Sequence, residues 1–202
     1  MKASKQITNY FGIMDKEINR AYDAAKTARK KGLDPVDDVE IVLAANMAER
    51  VEGLIGTVAP QIKNSGVVER LNELESEFGM QDWRVAFKIA EEVALEKFCK
   101  FKDKKEAMEV GLRVGLAYIT VGVVASPLEG VVRLELKKRR DNTGEYFSLF
   151  FSGPIRSAGT TATCVFVALS DYVRRKMGYS EYDPEDIEVK RYVMELRDFQ
   201  KI

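Results

Sequence analysis

The chain has 202 residues, enough for one large or two small domains, and its 46% apolar and 32% charged residues give a globular rather than a disordered composition. Lys+Arg and Asp+Glu both number 32, so no net charge draws the molecule to nucleic acid, and any such contact must come from a local patch. The absence of histidine excludes His general bases, Ser-His-Asp and Cys-His catalysis, and His-bearing zinc sites.

Ile7, Tyr10, Phe11, Met14, Ile18, Tyr22 and Ala25 recur at helical spacing, which predicts an amphipathic helix from about residue 7 to 31, stopped by Gly32. Asp34-Pro35 opens a second helix carrying Val39, Leu43, Met47, Val51, Leu54 and Ile55, with a break near Pro60. A third follows Gly66, with Val67, Leu71, Leu74 and Phe78 on one face and Gly79 at its end. Asp82 caps a fourth, with Val85, Ile89, Val93 and Ala94 inward. Asp103-Lys104-Lys105-Glu106 has capping-box spacing for a fifth, striped by Val110, Val114, Tyr118 and Val121. Gly111 and Gly115, four apart, suit close helix contact. Cys99 and Cys164 lie in apolar helical patterns and read as reduced core residues of an intracellular, cytoplasmic protein. The N-terminus lacks the apolar segment of a signal peptide, and the longest apolar run, Val114–Ala125, is too short to span a membrane.

At Ser126-Pro127 the period changes to two. Val132, Leu134 and Leu136 alternate with Val131, Arg133, Glu135 and Lys137, the pattern of a half-buried strand. Asp141-Asn142-Thr143-Gly144 is turn chemistry, joining this strand to the aromatic run Tyr146–Phe151 as an antiparallel hairpin. Lys137, Lys138, Arg139 and Arg140 crowd its tip. Such a run is either a solvated turn or a contact for phosphates that carries no sequence preference. Gly153–Thr161 then forms a small-residue turn into a helix marked by Val165, Leu169, Tyr172 and Val173. Its Gly153, Arg156, Ser157 and Gly159 either cradle an anion or merely turn a corner. Asp183-Pro184 reads as N-cap and first residue of a last helix with Val189, Val193 and Leu196 inward; a chain ending inside it has the look of a piece of something longer.

The expected fold is α+β and predominantly helical: a helical region over 1–126, then a hairpin with two helices over 127–202. The carboxylate groups, Asp37-Asp38, Glu91-Glu92 and Asp183/Glu185/Asp186, fall on polar faces or helix starts, so no catalytic set and no metal site is expected.

Phe151-Ser152-Gly153-Pro154-Ile155-Arg156-Ser157-Ala158-Gly159-Thr160-Thr161-Ala162 and Ser170-Asp171-Tyr172-Val173-Arg174-Arg175-Lys176 resemble the GPIRSAGGTA and ADYVRRK segments of the large subunit of archaeal D-family DNA polymerase. Ala24-Ala25-Lys26-Thr27-Ala28-Arg29-Lys30-Lys31-Gly32-Leu33-Asp34-Pro35, Met47–Gly56, Glu129-Gly130 and Glu188–Val193 match in family order, so the resemblance covers nearly the whole chain. Thr160 stands where the family pattern has a second glycine, which disfavours a positive φ there. The resemblance implies an N-terminal, non-catalytic piece of a replicative polymerase that scaffolds and guides DNA. It places the Mg2+-binding aspartates further along the subunit. The implied partners are the remainder of that subunit, a small exonuclease subunit and DNA, with self-association of the piece through uncovered apolar faces. The competing reading is a stand-alone phosphate- or nucleotide-binding protein using the Gly153–Thr161 turn.

Overall fold

The computed structural model describes residues 4–33, 43–157 and 160–200. The expected helix start at Asp34-Pro35, with Val39, and the expected anion-site residue Gly159 lie outside the described residues. The chain divides into two compact units, residues 1–45 and 46–202, so the joint expected near Pro127 falls inside the second.

Among the described residues the first unit holds one helix, α1 (Lys5–Lys30), none of whose residues is buried. The Ser4 hydroxyl accepts from the Ile7 N–H at its start. At its end Leu33 N–H reaches Ala28 O and Gly32 N–H reaches Arg29 O, with Gly32 at φ +68°, the left-handed closure that glycine allows.

In the second unit, α2 (Met47–Ile55), α3 (Val67–Phe78), α4 (Trp83–Ala94) and α5 (Lys104–Ile119) form a helical layer. Asn46, Asp82 and Asp103 each cap a helix by accepting a main-chain N–H. One core gathers Val51, Ile55, Leu71, Leu74, Ile89 and Val114 among α2–α5. A second lies on the other side of α5, where Met108, Leu112 and Leu116 meet the hairpin and α7 (Thr160–Lys176). Burial on both sides makes α5 the central element. It also explains its glycines, because a β-carbon at Gly115 would lie 2.9 Å from Ala86 O and 2.8 Å from a Leu169 methyl. Leu43 lies outside α2, which begins only after the Asn46 cap, and Val121 falls beyond the end of α5 and is exposed. Cys99, half-buried in the loop after α4, packs against the first core, whereas Cys164 is on the exposed side of α7 rather than in the core.

A turn of π-helix (Ser126–Gly130) leads into β1 (Val131–Lys138), which pairs antiparallel with β2 (Glu145–Phe151). The expected alternation fails at its start. The register slips between Val131 and Arg133, so Val131 is buried and Val132 is 45% exposed. The cause lies on α5. Arg113 donates to the carbonyls of Pro127 (2.8 Å), Leu128 (2.5 Å) and Val131 (2.6 Å), and Glu109 accepts from the Leu134 N–H at 2.7 Å. A cation and a carboxylate one helical turn apart thus hold the main chain where helix gives way to strand. Leu134, Leu136, Phe147, Leu149 and Phe151 face the second core.

The open turn expected after Ser152 is instead a short helix, α6 (Gly153–Ser157), lying against the π-turn. Ile155 is fully buried, and a β-carbon at Gly130 would lie 2.8 Å from it. The last helix, α8 (Asp186–Phe199), is capped by Glu185, two residues later than expected, and Val189, Val193 and Leu196 are exposed rather than inward.

Candidate nucleic-acid interface

The hairpin tip is built by Asp141. Its carboxylate accepts from the Thr143 N–H (2.9 Å) and hydroxyl (2.7 Å), which folds the turn, and from the Arg139 guanidinium at 2.8 Å. The Arg139 hydrogen bond, followed by those from Thr143, holds the Asp141 carboxyl well below the usual carboxylate range. Arg139 N–H donates to Gly144 O, and Asn142 takes the left-handed conformation at φ +56°.

The structure brings the predicted tip residues together and gives each surroundings that the sequence did not reveal. Lys137 lies 5.2 Å above the Phe150 ring and 3.9 Å from Glu135, beside Arg133, whose guanidinium stacks on the same ring at 3.9 Å. Lys138 is exposed and sits opposite Glu145 in register. Arg139 donates its other guanidinium nitrogen to Glu181 O at 2.6 Å, leaving its side chain only 17% exposed. Arg140 reaches three acids on the segment that enters α8: its main-chain N–H donates to Asp183 (2.7 Å), and its guanidinium meets Glu185 and Glu188 at 3.1 Å each.

Asp183 therefore binds the hairpin instead of capping α8. The acidic run was visible in the sequence, but a pairing across 43 positions leaves no local signal. Glu188 completes a capping box with Glu185 and accepts from the Tyr182 hydroxyl at 2.8 Å. The Glu185 N–H, then Tyr182, then Arg140 hold its carboxyl below the usual range. The Tyr182 ring packs on Tyr146 with centroids 4.9 Å apart, above a cavity of 230 Å³ between β2 and α7.

Arg156 and Ser157 belong to α6, at the opposite end of the hairpin from the tip, and their side chains lie outside the described ones. The sequence-predicted residues thus fall in two places. Among the described residues, no group of three acidic or cysteine side chains is placed to hold a metal, and no helix is long and apolar enough to cross a membrane.

The second unit is thus a helical module carrying one β-hairpin whose tip gathers basic side chains. Residues 9–202 match the family model described as DNA polymerase II large subunit DP2, N-terminal, and the chain belongs to that family. DNA polymerase II large subunits from Nanoarchaeum equitans, Methanococcus vannielii and Pyrococcus furiosus are 43%, 42% and 40% identical over 94%, 99% and 97% of this chain. The chain spans only 15–17% of the length of these relatives.

Proposed function

We propose that this chain is the scaffold and assembly part of a DNA-directed DNA polymerase large subunit, docked on the remainder of that subunit through α8. The observation that carries this reading is the exposed apolar face of α8. Val189, Tyr192, Val193, Leu196 and Phe199 share one side of a helix with no buried residue, and Phe199 is 78% exposed. An apolar helical face of this extent calls for a cover, and relatives about six times longer supply the polypeptide to make it. Nucleotidyl transfer and its Mg2+ belong, in this reading, to that remainder, and the small subunit is a further partner of the assembly. The hairpin tip contacts the DNA backbone through Lys137, Lys138, Arg139 and Arg140, adding affinity without sequence preference. The alternative reading is a stand-alone phosphate or nucleotide binder at the Gly153–Thr161 turn.

The assembly reading is tested by co-expressing this chain with the separately encoded remainder of the large subunit. Changing Leu196 and Phe199 to Glu is expected to abolish co-purification while leaving the chain folded by circular dichroism. Undiminished co-purification would sink α8 as the docking element.

A further inference from the structure

Two of the hairpin-tip cations, Arg139 and Arg140, are engaged by the acidic segment leading into α8. Arg140 holds Asp183 through its main chain and both Glu185 and Glu188 through its guanidinium, while Arg139 holds the main-chain carbonyl of Glu181. A guanidinium spanning two carboxylates uses the donors with which arginine grips the oxygens of a phosphodiester. The contacts are weakly closed. Arg140, Glu185 and Glu188 are 44%, 58% and 34% exposed, so solvent screens their pairing. The closed arrangement also leaves Asp183 Oδ1 buried without a hydrogen-bond partner, a cost that opening relieves. Beyond these contacts α8 has no buried residue to keep it in place.

We propose that residues 181–188 form a latch over the hairpin tip, so that a nucleic-acid backbone engages Arg140 by displacing Glu185 and Glu188. This rests on the reading that the tip meets DNA, and it adds a regulation to that site. Because the same segment carries the N-terminus of α8, occupation of the tip by DNA frees the helix whose apolar face docks on the rest of the subunit. The two events are then coupled, and by linkage the coupling runs both ways.

The test is fluorescence anisotropy of a labelled DNA duplex across a salt series, comparing the 202-residue chain with its Glu185→Gln/Glu188→Gln variant. Gln at position 188 keeps a capping-box side chain, so α8 stays formed. The variant is expected to bind about three- to tenfold more tightly at low salt, because two screened ion pairs no longer compete with phosphate. Hydrogen exchange supplies the independent readout: duplex added to the parent chain should speed exchange at the Arg140 amide, which the latch protects. Equal affinities with unchanged exchange overturn the latch and leave the tip as a DNA site. Absence of binding by either protein overturns the tip reading and the latch together. So does binding that survives replacement of Lys137, Lys138, Arg139 and Arg140 by Ser.

Discussion

Replacing Gly111 with Ala tests the central packing claim, that α5 lies against α4 with no room for a side chain. A β-carbon at Gly111 would stand 2.6 Å from Ala90 O and 3.0 Å from Ala94 N. Both are main-chain atoms of α4 and cannot rotate aside, so the two helices must separate along the seam between the cores. Overpacking of this kind costs about 1–3 kcal/mol, and the better helix propensity of Ala returns up to about 1 kcal/mol. The net expectation is a loss of about 1–2 kcal/mol. Gly53 on α2 supplies the control, because a β-carbon there meets nothing within 4 Å. Gly53→Ala should therefore gain about 0.5–1 kcal/mol from propensity alone. For a domain of this size each kcal/mol moves Tm by about 2–4 °C, so scanning calorimetry should show opposite shifts for the same chemical change. A Gly111→Ala protein as stable as the parent would refute the close approach of α4 and α5.

Three further outcomes are expected. Arg113→Lys should lose about 2 kcal/mol or more in urea unfolding, since one ammonium cannot span the carbonyls of Pro127, Leu128 and Val131; unchanged stability would remove Arg113 as the organiser of the bulge. Burial pushes the Glu92 carboxyl up, but the hydrogen bond and charge of Arg70, with Lys97 and Lys88, outweigh it and hold the group below its usual range. Its contribution is thus present above the unfolded pKa of about 4.3 and lost as pH falls through the lower folded value. Arg70→Gln should cost about 2 kcal/mol at pH 7, discounted for the partial exposure of Arg70, and the gap to the parent should narrow as pH falls towards and below the unfolded value of about 4.3, because burial without Arg70 makes Glu92 protonate more readily. A gap constant from pH 7 to 3 would contradict this. Tyr172→Phe keeps the ring against Phe87 but deletes the hydroxyl that donates to Glu91 at 2.6 Å, and should cost about 1–3 kcal/mol by thermal melting; no change would show that Glu91 is satisfied by Lys88 and Lys176 alone.

By itself the sequence determined the elements whose causes are local. Asp82 and Asp103 cap helices through N–H groups two or three residues away, and Gly32 and Gly79 end helices by adopting positive φ. The apolar rows of α3 and α4 face inward because a period of 3.6 already separates a buried from a wet side. The tip turn was legible for the same reason, since Asp141 folds it through Thr143. Tertiary structure decided every point where a group had a choice of partner. Val131 rather than Val132 entered the core because Arg113 and Glu109, about twenty residues upstream on α5, claim the main chain at the start of the strand. Asp183 left the cap of α8 to Glu185 because the Arg140 amide took its carboxylate. Arg140 read as part of a free basic run because its acids, Asp183, Glu185 and Glu188, lie more than forty residues further on. The physical reason is range. Caps, turns and amphipathic faces are fixed by atoms within about one helical turn, whereas charged and main-chain polar groups bind whichever partner the folded chain brings within hydrogen-bond distance.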